Sequence, residues 1–172
     1  KRPFKIIHVA NNITPLDTKG NVIALRVIGE LVKKGFDVSI VFVGERTVAN
    51  LFDDIAKELG IEDRVSFVGR KTKNELRDLL IKSDLLLFPS RSEGLPRIVI
   101  EANALGLPCV ASNVGGIGEL IDNDVIFEID DYKSMAVKIS EIFSNKELYE
   151  RLSKRNLMNA RLYESSILEK KR

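Results

Sequence analysis

Two carboxylates stand eight positions apart in the run Glu93-Gly94-Leu95-Pro96-Arg97-Ile98-Val99-Ile100-Glu101. Carboxylates accept hydrogen bonds well from sugar hydroxyls. The apolar run Asp84-Leu85-Leu86-Leu87-Phe88-Pro89-Ser90 precedes them, and Ala102-Asn103-Ala104-Leu105-Gly106 follows as a helix closing on glycine. Glu93 is therefore expected in a loop at the carboxyl end of a strand. Glu101 is expected one to two turns into the next helix. In open α/β sheets, ligands bind outside the carboxyl ends of the strands. The N–H groups and dipole at the start of such a helix suit a phosphate. A phosphate cradle flanked by two hydroxyl acceptors fits a sugar nucleotide.

Other residue types invite chemistry and are better read as structure. Asp122-Asn123-Asp124 spells a D-x-D triplet, which can hold Mg²⁺ or Mn²⁺ through a diphosphate. It lies far along the chain from the phosphate loop, and Asp and Asn are common turn residues, so it reads as a turn. His8, the only histidine, lies within a β-rich run and reads as a packed strand residue. Cys109 sits in an apolar strand and reads as inert core. Gly115-Gly116-Ile117-Gly118 lacks the G-x-G-x-x-G spacing of a dinucleotide loop.

The elements that must position these residues alternate along the chain. Strands are expected over Phe4–Ala10, Asp37–Val43, Arg64–Val68, 85–88, Pro108–Ser112 and Val125–Glu128. Helices are expected over Lys19–Lys33, Thr47–Leu59, Asn74–Ile81 with Asn74 as N-cap, 97–105, near Ile117–Ile121, over Tyr132–Phe143, and from Lys146 to about Tyr163. The strands run apolar rather than alternating, as in a sheet covered on both faces. The alternation predicts an α/β fold with a doubly wound parallel sheet of about six strands.

The 172 residues, 44% hydrophobic and 30% charged, fit one domain over 1–172. The net charge of +2 calls for no nucleic-acid partner. Residues 151–172 carry seven basic and two acidic side chains, a solvated tail whose sharper reading is weak attraction to an anionic membrane surface. A single cysteine points to a reducing compartment, the cytoplasm, with that tail as a peripheral contact at the inner membrane face. The chain opens at Lys1 without methionine, as expected of a piece cut from a longer protein.

Taken in order, Ser90-Arg91-Ser92-Glu93-Gly94-Leu95-Pro96, Glu101-Ala102, Gly106-Leu107-Pro108, Val110-Ala111-Ser112 and Gly115-Gly116-Ile117-Gly118-Glu119 resemble the retaining glycosyltransferases of family 4, which have the GT-B fold. The resemblance covers nearly the whole chain and corresponds to the Rossmann-like, carboxyl-terminal donor-binding half of such an enzyme, without the amino-terminal acceptor domain. It implies transfer of a hexosyl group from a UDP- or GDP-hexose to a saccharide or lipid-linked acceptor, as in polysaccharide biosynthesis, with no cofactor and no metal.

By position, the resemblance implies that Glu93 serves catalysis by accepting hydrogen bonds from the donor sugar. Ser92 and backbone N–H groups of Gly94, Leu95, Arg97 and Ile98 would line the diphosphate and sugar. Glu101 would hold the ribose, and Val68-Gly69-Arg70 would meet the base through its backbone. Lys19-Gly20 matches the pair that opens the first helix, with the ammonium as a point charge for phosphate. The family's arginine in that loop is absent. Asn11 or Asn12 falls near its place, so that either Arg91 or Arg97 compensates or turnover is slow. Loss of the Glu93 carboxylate is expected to leave binding of the bare nucleotide nearly unchanged. Two rival readings stay open: a sugar-nucleotide epimerase of GT-B architecture, which the lone His8 disfavours, and a non-catalytic nucleotide-sugar-binding subunit of a two-chain transferase.

Overall fold

The computed structural model describes residues 2–14 and 16–171, apart from the side chain of Ala49; Lys1, Pro15 of the first loop and Arg172 of the basic tail lie outside the described residues. Six strands, β1 (Phe4–Ile13), β2 (Val38–Arg46), β3 (Val65–Phe67), β4 (Leu85–Phe88), β5 (Cys109–Ser112) and β6 (Ile126–Phe127), form one sheet in the order β3-β2-β1-β4-β5-β6. Every pairing is parallel. Six α-helices connect and follow them: α1 (Asn21–Lys33), α2 (Ala49–Glu58), α3 (Lys73–Ile81), α4 (Arg97–Ala104), α5 (Tyr132–Ser144) and α6 (Lys146–Lys170). The expected α/β fold is therefore present.

All four residues of β4 and all four of β5 are buried, which requires cover on both faces of the sheet. Helix α1 packs on α5, and α4 packs on α6. The strand order reverses direction between β1 and β4. The loops leaving these two neighbours diverge there and open the crevice in which such sheets take ligands.

Several boundaries differ from the sequence expectation. Strand β1 continues past Ala10 to Ile13, because Asn12 and Ile13 pair with Glu45 and Arg46 of β2 after a register shift. Gly44 makes the shift possible: at φ 140 its Cα packs so close to the Ala10 carbonyl that a Cβ would stand 1.8 Å from the oxygen. Tertiary pairing thus overrides the turn preference of Asn11-Asn12. Helix α1 begins at Asn21, leaving Lys19 and Gly20 in the preceding turn. Helix α3 is capped by Thr72 rather than Asn74, through a capping box in which the Glu75 N–H donates to the Thr72 hydroxyl and the Thr72 N–H to the Glu75 carboxylate. The segment near Ile117 is one 3₁₀ turn, Ile117–Glu119. Helix α6 runs to Lys170 instead of stopping near Tyr163. No helix among the described residues is long and apolar enough to cross a membrane.

Candidate functional site

The loops after β1 and β4 meet across the switch point. The Arg91 N–H donates to the Thr18 carbonyl at 2.8 Å, tying one loop to the other. Gly20, at φ 71, packs so close to Pro89 that a Cβ there would lie 2.0 Å from its carbonyl oxygen. This contact needs glycine both for the left-handed backbone and for the space. The two loops bring Lys19 and Glu93 together, and the Lys19 ammonium donates to Glu93 Oε1. The Ser90 hydroxyl lies 3.0 Å from the same oxygen. The pair is only partly open to solvent, with side-chain exposure of 33% for Lys19 and 13% for Glu93.

A third loop braces Glu93 from behind. After β5, the Gly116 N–H donates to the Gly94 carbonyl at 2.8 Å. Gly115, at φ 50, lies so near that a Cβ would come within 2.2 Å of the Glu93 and Gly94 carbonyls. The glycine pair thus acts as a support for the Glu93 turn, a role its linear spacing does not reveal. Ser112 extends the support, its hydroxyl donating to the Ser90 carbonyl.

Helix α4 starts directly after this turn. Pro96 is its N-cap and makes no side-chain capping bond, so the amides of Arg97 and Ile98 at this end have no capping side chain. Glu101 lies in the second turn of α4 and is exposed. Helix α1 differs. Asp17, only 5% exposed and at φ 51, fills its N-terminus by accepting from the Val22 N–H at 3.1 Å. Burial raises the Asp17 pKa, against the opposing pull of the Val22 and Asn21 N–H groups. Of the two helices that follow the switch-point loops, α1 is thus occupied by the chain's own carboxylate, whereas α4 has no side-chain cap. The sequence reading missed Asp17; an acidic residue just before a helix was its only local signal.

At the other end of the crevice, a cavity of about 520 Å³ opens at the carboxyl ends of β1 and β2, lined among others by Val9, Asn12, Gly44, Arg70, Lys71 and Leu76. Asn12 stands here beside Arg70, whose Nη2 reaches its Oδ1 at 3.5 Å. The structure places Asn12 on the extended β1, at the Arg70 end and not in the Lys19 turn. Arg70 also pairs with Glu45 at 3.1 Å. The segment Val68-Gly69-Arg70 follows β3, and two of its backbone groups are already engaged. The Val68 N–H donates to Phe42 and the Gly69 carbonyl accepts from Gly44. Of the two arginines set against the missing one, Arg91 forms a two-pronged pair with Asp130 at 2.8 and 3.0 Å, which raises its pKa. Arg97 is exposed at the first position of α4. Ser92 is exposed, and Leu95 is exposed beside Gly116.

The residues set aside as structural find internal partners. Asp122 and Asp124 both face the Arg155 guanidinium, which joins their turn to α6. No group of three or more His, Cys, Asp or Glu residues able to hold a metal occurs among the described residues. His8 is 1% exposed. Its Nε2 lies 2.8 Å from Asn21 Oδ1 and its Nδ1 3.3 Å from the Leu87 carbonyl, so it joins β1, α1 and β4 below the crevice. Burial pushes the His8 imidazole below its ordinary pKa and the Cys109 thiol above its own.

Residues 4–157 match the model of the family described as glycosyl transferases group 1. Protein CapJ of Staphylococcus aureus is 29% identical over 160 residues, 92% of this chain and 37% of its own length. N-acetyl-alpha-D-glucosaminyl L-malate synthase of Bacillus anthracis is 32% identical over 122 residues, 69% of this chain and 32% of its own length. The chain thus spans about a third of the length of these curated relatives. Among solved structures, the C-terminal domain of the group 1 glycosyl transferase LpcC from Francisella tularensis aligns with a TM-score of 0.81 at 22% identity, covering 94% of this chain and 87% of that one. Anabaena HepE, solved with UDP, aligns with a TM-score of 0.82 at 21% identity, covering 92% and 44%. At these identities the two structures speak for the fold alone, a Rossmann-like GT-B unit.

Proposed function

The chain belongs to the group 1 glycosyl transferases, and we propose that it is the carboxyl-terminal, donor-binding half of a retaining, family 4 enzyme that moves a hexosyl group from a UDP- or GDP-sugar to a saccharide or lipid-linked acceptor. The observation that supports this most is the meeting of Lys19 and Glu93 at the switch point, beside the uncapped start of α4. A cation, a run of helix amides and a carboxylate within one crevice match the phosphates and the sugar of such a donor.

The nucleoside lies across the cavity between Asn12 and Arg70, with Glu101 accepting from the ribose hydroxyls. The diphosphate lies against Lys19 and the amides of Arg97 and Ile98. Glu93 accepts from the sugar hydroxyls. In transfer, the bond from the anomeric carbon to the diphosphate oxygen breaks. The acceptor oxygen forms its bond on the same face, and its proton passes to the departing phosphate. This chain's part is to position the donor and stabilise the charge that develops on the diphosphate. Lys19 and the helix amides supply that stabilisation without a metal. The acceptor site belongs to an amino-terminal domain outside this chain, so the isolated chain binds donor and does not transfer. His8 is buried and engaged by Asn21 and the Leu87 carbonyl, which disfavours it as the histidine catalyst of an epimerase.

Calorimetry with UDP and GDP, with and without EDTA, tests this. One of them is expected to bind with micromolar-to-millimolar affinity, about −4 to −8 kcal/mol, unaffected by EDTA. Failure of both to bind overturns the reading, and strict dependence on Mn²⁺ returns the metal role to Asp122 and Asp124.

A further inference from the structure

We propose that Glu93 makes the site prefer a sugar-bearing donor over the bare nucleoside diphosphate, by holding Lys19 until sugar hydroxyls take the cation's place. This rests on the donor-site reading above and deepens it. A carboxylate assigned only to the sugar has no influence on the bare nucleotide. Here that carboxylate is bonded to the very ammonium assigned to the phosphate.

A diphosphate entering the crevice draws Lys19 away. The Glu93 side chain, 13% exposed, then keeps only the Ser90 hydroxyl among its present partners. That hydroxyl has a single proton, and it also lies 3.2 Å from the Thr18 carbonyl and 3.1 Å from the Ser92 carbonyl. Separating a largely buried carboxylate from its cation is unfavourable, and the anion now beside it adds repulsion. An intact donor offsets this, because its hydroxyls donate to Glu93 as the phosphates take Lys19. The bare diphosphate, which is the product, has no such group. The exchange therefore weakens product binding relative to donor binding and favours product release. Ser90 is a positioning residue in this scheme, since it holds Glu93 at the moment Lys19 leaves.

The experiment is a comparison of affinities for UDP, UDP-glucose, GDP and GDP-mannose in the wild-type chain, Glu93→Gln, Glu93→Asp and Ser90→Ala, each checked for native circular dichroism. Glu93→Gln is expected to bind the bare diphosphate about tenfold more tightly than wild type while gaining nothing for the sugar-bearing form. Glu93→Asp, its carboxylate drawn back by one methylene, should shift the same way by less, and it decides the matter if the Gln variant does not fold. Ser90→Ala should move the bare diphosphate in the opposite direction, to weaker binding, because Glu93 then loses its last hydrogen bond. That opposite sign is not what plain repulsion between Glu93 and phosphate predicts. Unchanged or weaker diphosphate binding in Glu93→Gln overturns the proposal while leaving the donor site standing. No binding of any of the four ligands by wild type overturns both.

Discussion

At one end of the crevice Lys19, Glu93 and Ser90 are already bonded to each other and largely enclosed, whereas at the other Arg70 pairs with an exposed Glu45, and Glu101, proposed to hold the ribose, stands exposed on α4. The first end is built from three loops, two of which set a glycine against a neighbouring carbonyl, Gly20 against Pro89 and Gly115 against Glu93 and Gly94. The second is an open cavity at the ends of β1 and β2. A ligand at the enclosed end must exchange existing bonds for new ones. A ligand at the open end mainly replaces water. On the donor-site proposal, selectivity for the reacting group therefore belongs to the enclosed end, and additive affinity to the open one.

The bracing gives the largest predicted effect. Gly115→Ala should destabilise the fold by about 2–4 kcal/mol in urea unfolding, since the new methyl meets two carbonyls at a left-handed backbone position. Gly94→Ala, with nothing within 4 Å of the new atom, should change stability by less than about 1 kcal/mol. Equal losses from the two would mean that the third loop does not brace the Glu93 turn. Within the enclosed end, Lys19→Met should lower affinity for UDP or GDP by about a hundredfold, as expected for loss of a charged partner in a partly enclosed site, read by calorimetry. Glu101→Ala should cost only about tenfold in the same titration, because the carboxylate proposed to meet the ribose stands exposed on α4. A larger loss from Glu101 than from Lys19 would reverse the comparison. The smallest effect lies beneath the enclosed end. His8 has a depressed pKa in the fold, so the unfolded chain binds a proton that the folded chain refuses. Its contribution is complete above about pH 6.5 and declines as pH falls below that value toward the folded pKa. In denaturation measured between pH 5 and 8, His8→Gln should flatten that decline.

The alternating apolar runs and punctuating glycines made the parallel α/β fold legible before any coordinates. The eight-residue spacing of Glu93 and Glu101, read with the strand before and the helix between, placed both beside a helix start, and the ordered motifs around them carried the family. These are local signals, because hydrophobic period and turn chemistry act within a few residues. What lies between distant residues was not legible. Lys19 and Glu93 are 74 positions apart, and nothing in either segment says that they pair. Gly115 and Gly116 showed only that they are no dinucleotide loop until packing placed them against the Glu93 turn. Asn12 read as part of a phosphate loop until pairing with β2 carried it onto a strand beside Arg70. Asp122 and Asp124 read as a turn, but their partner Arg155 lies on α6, far along the chain. The sequence by itself determined which elements form and which carboxylates follow β4. Tertiary structure decided which charges neutralise one another and which stay open to a ligand, because strand order and loop contact bring together groups that linear spacing keeps apart.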